Sequence, residues 1–299
     1  MMKRARIIYN PTSGRELFKK SLPEVLQKLE QAGYETSCHA TTGPGDATVA
    51  ARQAADRKFD VVIAAGGDGT LNEVVNGLVG HEFRPKFGII PVGTTNDFAR
   101  AIGVPRSIEE AADIICEGKT VPLDLGRAND TYFINIAGGG RITELTYEVP
   151  SKLKTVLGQL AYYLKGIEML PSLHPTYVEY DGKLLQEEIT MFLITNTRSV
   201  GGFEKVAPYA SINDGLFDLL VLKKGSIADL IKAATQAQRG EHINNPKVLY
   251  TQANRIKVHS PDKLMINLDG EYGGDAPMEF ENIYHCLELF VPEHQEDAL

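Results

Sequence analysis

Asp60-Val61-Val62-Ile63-Ala64-Ala65 runs straight into Gly66-Gly67-Asp68-Gly69-Thr70. A short apolar run bounded by turn residues reads as a buried strand. A strand that stops at glycines and then opens a helix leaves backbone N–H groups with no partner and no side chain shielding them. Unpaired amides and the positive helix end favour an anion, so this junction is a place for phosphate. Asp68 in its middle is unusual for a bare phosphate cradle and points to a phosphate handled together with a metal ion. A nucleoside triphosphate is the expected ligand.

Outward from this junction, strands alternate with helices. Arg6 to Tyr9 reads as a strand closed by Asn10-Pro11-Thr12-Ser13-Gly14. Leu22, Val25, Leu26 and Leu29 then recur with the helical period until Gly33. Tyr34 to Ala40 is a second strand, and after Thr41-Thr42-Gly43-Pro44-Gly45 an Ala-rich helix is expected with Asp46 as its cap. Thr70 with Glu73 matches a capping box for the helix after the glycines. Phe87 to Pro91 is a fourth strand, followed by Gly93-Thr94-Thr95-Asn96-Asp97, and Ser107 with Glu110 opens one more helix. This rhythm predicts an α/β N-terminal domain with a doubly wound, mostly parallel sheet.

After about Pro122 the pieces become short and β-rich: Tyr132–Ile136, Thr176–Tyr180, Ile189–Thr195, Phe217–Leu222, Arg255–His259 and Lys263–Leu268. Turns at Asp181-Gly182, Asp214-Gly215 and Asp269-Gly270 separate them. Helical stretches interrupt at Ser151–Leu170 and Ile227–Gln238. The second half therefore reads as a C-terminal antiparallel β-sandwich domain with inserted helices. The expected division is 1–122, 123–291 and a tail, 292–299.

A net charge of −8 argues against a general nucleic-acid binder. Three widely spaced cysteines form neither a disulfide framework nor a zinc site, which makes a reducing cytoplasm the default. The N-terminal apolar stretch is too short for a signal peptide, and no apolar run approaches the ~20 residues that span a bilayer. A lipid partner would have to be reached from the water side.

Three loops, Asn10–Gly14, Gly66–Thr70 and Gly93–Asp97, end strands on what should be one edge of the sheet, where open α/β sheets bind ligands. Each sets small hydroxyl or amide side chains beside glycine. Glu73 reads equally as a capping acid or as a ligand. Gly-x-Gly-x-x-Gly and the Lys-containing phosphate loop are both missing, so neither a classical dinucleotide fold nor a P-loop is supported. Asp124, Asp214, Asp218, Asp269 and Glu271 are acids at turns or junctions, each open to a reading as a plain turn former. Phosphoryl transfer to a hydroxyl would give them work, since it needs a base and Mg²⁺, which prefers oxygen ligands.

Gly-Gly-Asp-Gly-Thr-Leu-Asn-Glu (66–73), Pro-x-Gly-Thr-x-Asn-Asp-Phe-Ala-Arg (91–100) and the late Asp-Gly-Glu (269–271) resemble the diacylglycerol kinase family, closest to its soluble bacterial lipid kinases. The resemblance covers nearly the whole chain. It implies ATP contacts at Asn10, Pro11, Thr12, Ser13, Gly14, Thr41, Gly67, Asp68, Gly69, Thr70, Leu71, Asn72, Glu73 and Thr94. It implies Glu271 as the proton acceptor for the lipid hydroxyl, with Asp68 and Asp124 in an acidic, metal-linked cluster. It implies a structural Mg²⁺ held by Ser211, Asp214 and the backbone carbonyl of Leu216. The expected activity is transfer of the γ-phosphoryl group of ATP to diacylglycerol, giving phosphatidic acid for phospholipid synthesis. Phosphatidylglycerol or a sphingoid base is an alternative acceptor. A nucleotide-binding regulator without catalysis is a different class of reading, and the presence of Glu271 counts against it.

Diacylglycerol stays in the membrane, so the chain is expected to visit an anionic surface at the inner face of the cell membrane. Arg15, Lys19, Lys20, Arg100, Lys152, Lys154 and Lys165 are candidates for a basic patch, and Lys152–Leu170 for a core helix or a membrane-touching lid. A homodimer is suggested by the family alone.

Overall fold

The computed structural model describes residues 2–140, 176–201, 203–225, 227–261 and 263–293. The helix expected at 151–170, with Lys152, Lys154 and Lys165, lies outside the described residues. Two compact units emerge: one joins the residues up to Asp124 to those from Tyr284 on, and the other runs from Leu125 to Ile283.

The first unit contains β1 (Lys3–Tyr9), α1 (Leu17–Gln31), β2 (Tyr34–Ala40), α2 (Asp46–Asp56), β3 (Val61–Gly66), α3 (Asp68–Leu78), β4 (Lys86–Pro91), α4 (Asp97–Ala101), α5 (Ile108–Glu117) and the start of β5 (Thr120–Ala128). The strands run parallel in the order β2-β1-β3-β4, with Ile7 beside both Cys38 and Ile63. From β1 the chain steps one way to β2, then back across to β3 and β4. Right-handed crossovers therefore put α1 on one face and α2 and α3 on the other. The packing agrees, because α1 contacts α5 while α2 contacts α3. The expected doubly wound sheet is present. Every residue of β3 is buried, which explains its unbroken apolar run.

Small residues bring α2 and α3 together. Ala47, Ala50, Ala51, Ala54 and Ala55 are buried on α2. A Cβ on Gly77 would lie 2.3 Å from the Thr48 carbonyl oxygen, and the Thr48 hydroxyl donates to the Glu73 carbonyl at 2.9 Å. Gly77→Ala improves helix propensity but overpacks this contact. It should cost about 1–3 kcal/mol in urea unfolding; a neutral or stabilising result would show that the helices separate freely.

The second unit contains β6 (Thr131–Phe133), β7 (Ile136–Gly140), β8 (Thr176–Tyr180), β9 (Lys183–Glu187), β10 (Ile189–Thr195), β11 (Phe217–Lys223), α6 (Ile227–Ala237), β12 (Val248–Ala253), β13 (Arg255–His259), β14 (Met265–Leu268), β15 (Glu271–Asp275) and the start of β16 (Met278–Phe290). An antiparallel sheet runs β12-β11-β10-β7-β14-β15, and a second antiparallel set runs β16-β13-β8-β9. Phe192, Ile194, Phe217, Leu219, Ile266 and Leu268 from the first share one core with Val178, Ile256, Val258 and Phe280 from the second. Strand alternation turns Met191, Leu193, Leu220 and Leu222 to the opposite face. There they pack with Ala233, Ala234 and Ala237 of α6. This is the expected sandwich with an inserted helix.

Three local expectations differ from the structure. The strand expected over Tyr132–Ile136 is two, β6 and β7, broken at Ile134 and Asn135. β16 was not expected, because its alternation of buried and exposed residues slips near His285, which has a φ of +49°. Its residues from Tyr284 on rejoin the first unit, where Leu289 pairs in parallel with Phe87 of β4. A single cut at 122/123 does not describe that return.

His242 is 1 % exposed beside the α6 layer, with Nε2 donating to the Val206 carbonyl at 2.8 Å. Burial holds its pKa below the ordinary 6.5. The unfolded chain therefore takes the proton first, and stability falls as pH drops below 6.5. The melting temperature should decline from about pH 7.5 to about pH 5, and His242→Gln should flatten that slope.

Candidate active site

The strand order reverses between β1 and β3, the place where open α/β sheets gather ligands at the carboxyl ends of their strands. The three expected loops meet there. The backbone N–H of Asn10 donates to the Ala65 carbonyl at 3.1 Å, and those of Val92 and Gly93 both donate to Gly66, at 2.9 and 3.2 Å. The Thr41 N–H donates to Tyr9 at 2.9 Å. Gly14 has a φ of +58°, and a Cβ there would lie 2.4 Å from the Val92 carbonyl oxygen. A Cβ on Gly93 would lie 2.5 Å from Gly67 Cα. Only glycine lets these backbones approach so closely.

Within the loops, side chains fix the backbone. Asn10 Oδ1 accepts from both the N–H and the hydroxyl of Thr12, at 3.0 and 2.8 Å. Asn96, with a φ of +48°, bonds Gly93 twice: Oδ1 accepts from its N–H at 3.1 Å, and Nδ2 donates to its carbonyl at 2.8 Å. Asp97 is buried and pairs with Arg100, so that arginine is already engaged. Neither lock was foreseen in the sequence; an Asn at a positive φ beside glycine is the signal that could have found Asn96.

Two capping assignments need correction. Gly67 heads α3 and has no side chain with which to cap it. Thr70 lies inside the helix, folded onto Gly66, where a Cβ would meet its hydroxyl at 2.5 Å. Gly69 is open, with nothing within 4 Å of an added Cβ. Likewise Gly45, not Asp46, heads α2. The Asp46 carboxylate instead accepts from the N–H and hydroxyl of Thr42, at 2.7 and 2.8 Å, which with His39 holds it below the usual carboxylate range. The Glu73 carboxylate accepts from the N–H groups of Gly45 and Ala47, at 2.9 and 3.1 Å. Glu73 thus caps the neighbouring helix rather than its own.

The remaining acids divide between the units. Asp124, in the first, is fully buried and accepts from the His285 N–H at 2.7 Å. Glu271, in the second, is exposed at the start of β15, after a hairpin turn with positive φ at Asp269 (+49°) and Gly270 (+99°). Asp269 is buried, and its carboxylate accepts from three successive N–H groups, Ile134 at 2.7 Å and Asn135 and Ile136 at 2.9 Å. That carboxylate explains the break between β6 and β7. Asn267 Oδ1 accepts from the Gly270 N–H at 2.8 Å, bracing the same turn.

Ser211, Asp214 and Leu216 share one turn ahead of β11. The Ser211 hydroxyl donates to Asn213 Oδ1 at 2.9 Å, and Asp214 Oδ1 accepts from the Leu216 N–H at 2.9 Å. Behind them Asp218, 1 % exposed, accepts from the Tyr250 hydroxyl and from Gln252. Burial pushes the Asp218 carboxyl up, and the Asp214 charge adds to that. Asp214 is exposed, yet partial desolvation raises it too.

Residues 4–128 match the family of the diacylglycerol kinase catalytic domain, and residues 144–291 the YegS C-terminal NAD kinase beta sandwich-like domain. A curated diacylglycerol kinase of Bacillus subtilis (strain 168) is 65 % identical over 301 residues, covering 100 % of this chain and 99 % of that protein. The chain belongs to the diacylglycerol kinase family. Another relative, the diacylglycerol kinase of Staphylococcus carnosus (strain TM300), is 52 % identical over 98 % of this chain and 96 % of its own. The crystal structure of a diacylglycerol kinase from Bacillus anthracis str. Sterne superposes with a TM-score of 0.82 at 29 % identity, over 98 % of both chains. As in those diacylglycerol kinases, an α/β unit is joined to an antiparallel β unit.

Among the described residues, no helix is long and apolar enough to cross a membrane, and no three His, Cys, Asp or Glu side chains group as a metal cage. The turn at 211–216 still suits a hard divalent ion. It offers a hydroxyl, a carboxylate and a carbonyl, oxygen donors of the kind such an ion prefers.

Asp269→Ala would leave three buried N–H groups without an acceptor, each costing about 1–3 kcal/mol. The variant should lose more than ~3 kcal/mol by denaturant unfolding. A loss within experimental error of zero would mean that the 134–136 backbone finds other partners.

Proposed function

We propose that the chain transfers the γ-phosphoryl group of ATP to the hydroxyl of 1,2-diacylglycerol, giving phosphatidic acid and ADP. The observation that carries this reading is the glycine-headed N-terminus of α3 at the strand end, in a chain of the diacylglycerol kinase family. Its amides and dipole offer a phosphate site, with the loops at Asn10–Gly14, Thr41 and Thr94 supplying further donors. Glu271, exposed on a braced turn, takes the proton of the lipid hydroxyl as that oxygen attacks the γ-phosphorus. The new P–O bond forms as the bond to the β-phosphate oxygen breaks, and ADP leaves. Asp68 and Asp124 remain the acidic, metal-linked residues of this reading. Mg²⁺, when bound, would neutralise charge on the phosphates. A second, structural Mg²⁺ would be held by Ser211, Asp214 and the Leu216 carbonyl.

Access to the acceptor is a transient visit of a cytoplasmic protein to an anionic membrane surface. Exposed Lys19 and Lys20 of α1 suit such contact, each worth about 1 kcal/mol. A homodimer belongs to the same reading.

With labelled ATP and 1,2-dioleoylglycerol in mixed micelles, Glu271→Gln should lower kcat by about 10²–10⁴-fold, while ATP affinity stays as in the wild type. Comparable turnover in that variant would remove Glu271 as the base. Asp214→Ala should abolish tightly held Mg²⁺, measured by metal analysis after desalting, and lower the melting temperature. Unchanged metal content and melting would leave 211–216 an ordinary turn.

A further inference from the structure

Asn96 is a buried polar residue that the proposed chemistry leaves without a role. It is 2 % exposed and holds a φ of +48°, a backbone conformation that few residues besides glycine, Asn and Asp adopt. Its carbonyl accepts from the Arg100 N–H at 3.0 Å and so opens α4. Its side chain turns the other way and closes on Gly93. Oδ1 accepts from the Gly93 N–H at 3.1 Å, and Nδ2 donates to the Gly93 carbonyl at 2.8 Å. Residues 93–96 thus form a closed loop, in which one side chain holds both polar groups of one glycine. Few side chains can make that closure. Aspartate lacks the donor, and glutamine carries one more methylene. Asparagine sets donor and acceptor on a short stem that tolerates the left-handed backbone.

What the closure holds is one wall of the glycine junction. The Gly93 N–H also donates to the Gly66 carbonyl, at 3.2 Å. A Cβ on Gly93 would lie 2.5 Å from Gly67 Cα and 3.3 Å from the Gly67 nitrogen. Gly93 therefore rests on the residue that heads α3, where the proposed function puts phosphate. Thr94, the nucleotide contact expected in this loop, is the next residue along. Released by Asn96, Gly93 would sample the wide range of φ open to glycine, and Thr94 would move with it. Ordering the loop again at each encounter would oppose ATP binding.

We propose that Asn96 is a positioning residue for the nucleotide: it fixes Gly93 against Gly67 and Thr94 beside the phosphate site, acting through Gly93. This rests on the ATP site proposed above. It adds a residue outside the ATP contacts that the family resemblance implies.

The test compares the wild type with Asn96→Gly and Asn96→Ala in ATP-dependent phosphorylation of 1,2-dioleoylglycerol. ATP binding by calorimetry, thermal melting and amide hydrogen exchange without nucleotide complete the set. Both variants delete the two bonds to Gly93, but only glycine keeps the positive φ at ease. The expected result is a KM for ATP raised roughly tenfold in both, about 1.4 kcal/mol, with kcat at saturating ATP unchanged. The melting temperature should fall further in Asn96→Ala than in Asn96→Gly, and exchange at Gly93 should quicken in both. A wild-type KM in Asn96→Gly would overturn the proposal, as would wild-type exchange at Gly93. So would a KM that follows the melting temperature, high in the alanine variant alone, which is what a purely structural role gives. If neither variant folds, Asn96→Asp keeps the acceptor for the Gly93 N–H and loses the donor to its carbonyl. It too should raise KM, and a wild-type value there would overturn the proposal. A wild-type protein that binds ATP but phosphorylates no lipid alcohol would defeat the proposed function alone. The same weakening would then be read in the calorimetric Kd.

Discussion

Backbone meeting backbone at the carboxyl edge of β1, β3 and β4 is the constraint on which the first unit depends. Gly14 lies against Val92, Gly67 against Gly93, and the Gly66 carbonyl accepts from two amides of the neighbouring strand end. A Cβ at Gly14 or Gly93 would meet backbone at 2.4 or 2.5 Å, so these loops would have to shift. The same omission of side chains that permits the approach leaves Gly67, at the head of α3, with no side chain to cap the helix. Packing and the proposed phosphate site thus draw on one property, the absence of Cβ atoms, and neither can be adjusted without the other.

Much of the first unit was legible because its signals are local. An apolar run of strand length, glycines at its end and a helical period afterwards need no knowledge of the rest of the chain. β3, α1 and the Ser107 cap of α5, whose hydroxyl accepts from the Glu110 N–H at 3.3 Å, follow such rules. Local patterns mislead where a distant partner satisfies them. Thr70 and Glu73 have capping-box spacing, but a glycine already occupied the cap, and the carboxylate found the amides of another helix. Asp46 was displaced from its cap by Gly45 in the same way.

In the second unit, the hairpin at Asp269-Gly270 was legible from its two residues alone, since both adopt the positive φ that such turns require. What could not be read was where the Asp269 side chain goes. Its three acceptor bonds reach back more than a hundred residues in sequence, to a strand break that no propensity marks. β16 was obscured for a related reason. A positive φ at His285 resets the two-residue alternation, so that the stretch 278–290 carries no unbroken period.

The path of β16 also bears on how the protein comes into being. Among the described strands, the one that lies beside β4 comes latest in the chain, and the Arg84 guanidinium reaches its His285 and Cys286 carbonyls within the first unit. A ribosome releases an N-terminal domain to fold as it emerges. Here the sheet of the first unit stays one strand short until the whole second unit has been translated. Until then the flank of β4 stands uncovered, and a nascent chain stalled before residue 284 would expose it to any other strand in reach.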